Sequence, residues 1–108
     1  MKRIAVFASG SGSDFQSVID ANERENFCEI YLLVASKPGI YAIERAKKHR
    51  IESIVCSRKD FADAEAMGEK LIAELQARGV DYIVLAGYLS IVPENLIRAY
   101  PDRIINIH

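Results

Sequence analysis

The sequence predicts an α/β domain: a three-layer Rossmann-like fold with a mostly parallel sheet of about five strands and helices on both faces. Two observations carry this. Five short apolar runs rich in Ile, Val and Leu recur along the 108 residues, and helix-patterned segments separate them. The runs are nearly continuous instead of alternating, which suits strands buried on both faces of a parallel sheet. Strand–helix order repeated four times and closed by a fifth strand is the βαβ pattern of a three-layer domain with right-handed crossovers.

The expected strands are Arg3–Ala8, Ile30–Ala35, Ser53–Val55, Tyr82–Ala86 and Ile104–Ile107. The first helix opens at Ser13-Asp14-Phe15-Gln16, which fits a capping box, with Phe15, Val18 and Ile19 forming its apolar stripe. A second helix is expected over Ile40–His49, ending near Arg50. Asp60 is placed to cap a third, in which Ala64, Met67, Leu71, Ile72 and Leu75 share one side. Gly79 follows Arg78 and suits the left-handed position past that helix. Pro93 fits the first turn of a short fourth helix anchored by Leu96 and Ile97 and stopped by Pro101.

Half of the residues are hydrophobic, so residues 1–108 are read as one compact domain. A formal charge of -1 and a pI near 6.1 leave no footprint for nucleic acid. Cys28 and Cys56 form no disulfide framework and lack C-x-x-C spacing; they read as reduced core residues of a cytoplasmic protein. The opening run Ile4–Ala8 is too short for a signal peptide, and nothing approaches the roughly 20 apolar residues of a membrane span. No metal site is expected.

The segment Ser9-Gly10-Ser11-Gly12-Ser13-Asp14 joins the first strand to the first helix. Its glycines permit a tight turn and close backbone approach. The free N–H groups of the first helical turn, aided by the helix dipole, then point at a bound anion. A dinucleotide fingerprint would place a third glycine where Phe15 stands. It would also place an acidic residue about 20 positions on, where the second strand instead ends Ala35-Ser36-Lys37. Both differences favour a single phosphate. Asp14 suits an empty helix N-terminus but is a like charge beside phosphate, so its carboxylate is expected to turn outward or to accept from a substrate hydroxyl.

Asn106 and His108 lie two apart on the fifth strand and so share a face, with Ile105 and Ile107 on the other. They stand at the C-terminal end of a strand, where open α/β sheets place their sites. An amide beside an imidazole can polarise a carbonyl and stabilise its oxyanion, and a protonated imidazole can act as general acid. A frayed terminal His is the plainer reading of the same position. His49, amid Lys47, Lys48 and Arg50, reads as a solvated residue complementing a helix C-terminus.

Together, Ser9-Gly10-Ser11-Gly12-Ser13-Asp14-Phe15-Gln16, Leu85-Ala86-Gly87-Tyr88 and Asn106-Ile107-His108 resemble the phosphoribosylglycinamide formyltransferases, over the first half of that family's length. The family serves de novo purine synthesis, moving a formyl group from the co-substrate 10-formyltetrahydrofolate to the amine of glycinamide ribonucleotide. The resemblance implies that Ser11, Gly12, Ser13 and Asp14 hold the ribonucleotide phosphate. It implies that Asn106 and His108 bind the formyl oxygen and support the tetrahedral intermediate. Tyr88, Leu89, Ser90, Ile91 and Val92 would form part of the folate pocket wall. The chain differs from the family pattern at Asp14, usually Asn, at Ser90, often basic, and at Ala64, near an Arg of some members.

The family continues past Asn-x-His with a Pro-rich run and an essential Asp that fixes the His. The resemblance therefore implies little or no formyl transfer by these residues alone, because members of a catalytic unit are strongly non-additive. The α-carboxylate of His108 would favour its imidazolium form. The apolar fifth strand, expected at a sheet edge, implies a larger sheet or self-association into a homo-oligomer. Two other readings remain: a formyltetrahydrofolate hydrolase or related formyltransferase, and a non-catalytic phosphosugar-binding module.

Overall fold

The computed structural model describes residues 1–107. Its order is β1 (Arg3–Ala8), α1 (Ser13–Glu25), β2 (Glu29–Ala35), α2 (Tyr41–Lys48), β3 (Glu52–Val55), a 3-10 turn (Arg58–Asp60), α3 (Ala64–Ala77), β4 (Tyr82–Ala86), α4 (Glu94–Ala99) and β5 (Ile104–Ile107). All four strand pairings are parallel and the strand order is β3-β2-β1-β4-β5. The expected α/β architecture is present, with every strand within one residue of its expected bounds.

Side-chain alternation divides the core into two layers. Ile4, Val6 and Ala8 of β1 face Phe15 and Ile19 of α1 and Ala42 and Ala46 of α2. Ala5 and Phe7 face Met67, Leu71 and Leu75 of α3 and Leu96 of α4. Phe7, Phe15, Leu32 and Leu33 are fully buried, each contributing about 1.5–3 kcal/mol by removal from water. Cys28 and Cys56 are both buried and unbridged, one in each layer. Burial pushes both thiols above their ordinary pKa and so keeps them protonated.

Four details differ from expectation. The capping box does not form: Gly12 is the N-cap of α1, in the left-handed region at φ 78°, and no side chain caps the helix. Ser13 is already helical, so its hydroxyl is not placed to reach the amide three residues on. Asp63, not Asp60, caps α3, its Oδ1 accepting from the Ala66 amide at 2.8 Å, while Asp60 belongs to the preceding 3-10 turn. The second helix is one residue shorter at each end, with Ile40 and His49 as its caps. Leu96 anchors α4, but Ile97 is 48% exposed, because the next position is about 100° around the helix. Gly79 adopts φ 64°, as its position past α3 requires.

Candidate functional site

The strand order sets where a site can form. From β1 the chain runs outward through β2 to β3, then returns to lay β4 on the other side of β1. The C-terminal ends of β1 and β4 therefore flank a topological switch point, the usual crevice of open α/β sheets. The Gly-rich turn follows β1, Gly87–Val92 follows β4, and Asn106 lies next to the end of β4, paired in register with Leu85.

Hydrogen bonds fasten these loops. The Ser9 amide donates to Gly87 O at 3.2 Å, and the Leu89 amide donates to Ser9 Oγ at 2.7 Å. The Ala42 amide donates to Gly10 O at 3.2 Å, and Arg45 Nε donates to Ser11 O at 2.8 Å. Arg45 also donates to Gln16 Oε1 at 3.2 Å. Carbonyls of the turn are thus taken up by α2. The first amide of α1 to donate into the helix is that of Gln16, to Gly12 O at 2.8 Å. The N–H groups of Ser13, Asp14 and Phe15 precede it, and no hydrogen bond among the described residues uses them. They form the open positive end of a 13-residue helix.

Gly12 is needed twice over. Its φ of 78° disfavours a side chain, and a Cβ there would lie 2.8 Å from both Cα and Cβ of Ala42. Asp14 is half-buried and does not turn outward. Its Oδ2 lies 3.6 Å from the point a Gly87 Cβ would occupy, so the carboxylate faces the β4 loop across the mouth of the turn.

The segment after β4 is less uniform than a single pocket wall. Tyr88 packs edge-on against Phe7 with ring centroids 5.3 Å apart, and burial pushes its phenol above the ordinary pKa. Leu89, 89% exposed, and Ser90 border one depression, while Ile91 and Val92 border another beside α4. Asn106 is exposed, and Ile105 and Ile107 line a common apolar depression on the α1 side of the sheet, as the alternation requires. The other half of the expected pair, His108, lies outside the described residues. His49 is half-buried, with Nε2 3.3 Å from Gln16 Nε2.

Sequence reasoning missed Arg45, and it assigned Ser9 and Gly87, which stand in its motifs, no role of their own. Ser9 is one of two buried polar residues among those described. Arg45 braces the turn from a helix distant in sequence, and only its one-turn spacing from Ala42 hints at that contact. Gly87, at φ 67°, lets β4 turn sharply beside Asp14. Among the described residues, no group of three or more His, Cys, Asp or Glu could hold a metal, and no helix is long and apolar enough to cross a membrane.

Comparison with known proteins identifies the family and agrees with the fold. The family model for formyl transferase matches residues 2–108. The chain is 38% identical to the phosphoribosylglycinamide formyltransferase of Bacillus subtilis, covering 100% of this chain and 56% of that protein. It is 37% identical to the trifunctional purine biosynthetic protein adenosine-3 of Drosophila melanogaster, covering 99% of this chain and 8% of that one. The crystal structure of glycinamide ribonucleotide transformylase 1 from Geobacillus kaustophilus superposes with a TM-score of 0.94 at 42% identity, over 100% of this chain and 58% of that chain. The chain thus spans a little over half the length of its single-function relatives, and it belongs to the formyl transferase family.

Proposed function

We propose that these residues supply the phosphate-holding portion of a cytoplasmic phosphoribosylglycinamide formyltransferase, whose substrates are glycinamide ribonucleotide and 10-formyltetrahydrofolate. The observation carrying this reading is the trio of uncommitted amides, Ser13, Asp14 and Phe15, presented by a left-handed Gly12 at the switch point of the sheet. A phosphate monoester is small, doubly charged and rich in acceptors, so it matches converging N–H donors at a helix start. The resemblance to relatives named for this reaction directs the rest.

In this reading the amides of Ser13, Asp14 and Phe15 hold the phosphate with Ser11 and Gly12 beside it, and the Asp14 carboxylate, facing Gly87, accepts from a hydroxyl of the ribonucleotide. The folate carries the formyl carbonyl. Asn106, at the end of β5, donates to the carbonyl oxygen as the substrate amine attacks and negative charge collects there. His108 supports the same oxygen and passes the proton lost by the amine to N10 of the folate as the bond from N10 to the formyl carbon breaks, so that tetrahydrofolate leaves and the carbonyl re-forms on the new amide. Tyr88 stiffens the β4 loop through Phe7, and Leu89 to Val92 offer apolar and backbone contact to the folate. The 108 residues span a little over half the length of their single-function relatives, and they are expected to bind the ribonucleotide with little or no turnover on their own. Calorimetric titration with glycinamide ribonucleotide, followed by a formyl-transfer assay, tests both halves. Saturable one-to-one binding supports the reading and its absence overturns it. Turnover equal to that of the Bacillus subtilis relative would show that the catalytic set is complete without the remainder.

A further inference from the structure

A second cluster at the same edge of the sheet is separate from the α1 amides. It is a depression of about 390 Å³ over the ends of β1, β2 and β3, lined by Ser9, Ser36, Lys37, Ser57, Arg58, Lys59, Leu89 and Ser90. Four lining residues carry hydroxyls, three are cations and none is a carboxylate. Among the described residues, Lys37, Arg58 and Lys59 make no ion pair, although five other Lys and Arg residues do. Asp60, next in sequence, does not line the depression.

The floor is built, not incidental. Ser9 and Ser57 are 6% and 4% exposed. Ser57 Oγ donates to Ser36 O at 2.8 Å, and Ser36 Oγ contacts Ser9 Oγ at 2.9 Å. Ser9 Oγ also accepts the Leu89 amide at 2.7 Å. The two hydroxyls of Ser9 and Ser36 hold two protons but share one contact, so one O–H is left without an acceptor among the described residues. A donor left over at the base of a depression ringed by cations is matched by an anionic acceptor.

We propose that this depression is a second oxyanion site, taking a small multivalent anion that accepts from the Ser9–Ser36 hydroxyl pair and is neutralised by Lys37, Arg58 and Lys59. The shared chemistry is a compact cluster of charged oxygens, carried either by phosphate or by a dicarboxylate. The site uses none of the α1 amides, although it borders the same turn at Ser9 and shares Leu89 and Ser90 with the proposed folate wall, so its test is read at Lys37, Arg58 and Lys59, which have no part in the formyl-transfer reading.

Amide-resolved NMR titration of the 108-residue chain, with inorganic phosphate in one arm and succinate in the other, tests it. In at least one arm the amides of Lys37, Arg58 and Lys59 are expected to shift and saturate together. They should do so on a curve independent of Ser13, Asp14 and Phe15. The tighter arm identifies the source as phosphate or carboxylate. The double variant Lys37→Ala/Lys59→Ala leaves the Arg58 bond to Phe61 O intact and should fold; it is expected to bind about tenfold more weakly at this cluster, with the α1 amides responding as before. Ser9→Ala should weaken the same curve. Unmoved amides in both arms, or equal affinity in the double variant, would overturn the proposal.

Discussion

Ala42 occupies the space a side chain on Gly12 would need: its Cα and Cβ both lie 2.8 Å from the position of a Gly12 Cβ. The contact ties α2 to the start of α1 and fixes the direction in which the α1 amides open. Gly12→Ala is therefore expected to cost about 2 kcal/mol or more, from crowding against backbone and from the left-handed φ. Gly10→Ala, with nothing within 4 Å of its Cβ, should stay within about 0.5 kcal/mol of wild type. Urea unfolding of the two variants checks the contrast, and equal losses would refute it.

The facing of Asp14 toward Gly87 sets a second test. A carboxylate at the mouth of a phosphate site repels the ligand, while one that accepts from a ribose hydroxyl helps it. Inorganic phosphate has no ribose, so Asp14→Asn should bind it about fivefold more tightly at the α1 turn. Glycinamide ribonucleotide should gain less, because the hydroxyl contact is weakened at the same time. Parallel calorimetric titrations read the difference. Equal gains for both ligands would remove the hydroxyl contact from the account.

Gly68 of α3 packs directly on the Asn95 side chain of α4, where an added Cβ would collide with the Asn95 amide. Asn95 in turn donates from Nδ2 to Glu65 O at 3.0 Å. Gly68→Ala is expected to destabilise by about 1–3 kcal/mol. Gly68→Ala/Asn95→Ala should lose less than the sum of the two single changes, because the second removes the obstacle. Strict additivity in thermal or urea unfolding would show that the collision is relieved elsewhere.

Arg78, past the end of α3, donates to Glu52 at 2.8 and 3.0 Å and to Glu74 at 2.8 Å. The Arg78 hydrogen bond holds the Glu52 carboxyl below its usual range, and Lys70 with Arg78 does the same for Glu74. A carboxyl depressed in the folded state contributes stability that is present above its unfolded pKa, near 4.3, and is lost as pH falls through the folded value. Glu52 is 53% exposed, so screening limits the network to about 1 kcal/mol. Arg78→Ala should be less stable than wild type by about that amount at pH 7. The gap should narrow as pH falls through the depressed folded values of Glu52 and Glu74. A gap independent of pH would show that the arginine acts by packing alone.

Much of this was legible in the sequence, for identifiable reasons. The β1–α1 turn could be read because only glycine tolerates what position 12 demands. Its capping could not, since Ser13 to Gln16 fit a capping box equally well until the left-handed Gly12 shifts the helix start. The sequence reading places the cap of α3 at Asp60, but the cap falls to Asp63 because Arg58–Asp60 is already used in a 3-10 turn. The Ser9–Ser36–Ser57 relay joins three strand ends and has no local signature, so it emerges only once β1, β2 and β3 stand side by side.

Nitrogen-15 NMR of the chain titrated with glycinamide ribonucleotide addresses the phosphate-holding turn most directly. The account predicts that the Ser13, Asp14 and Phe15 amide protons move downfield together and saturate with one equivalent, and that Gly12→Ala abolishes the response. Saturable binding that leaves those three amides in place, or shifts them equally in the variant, would contradict it.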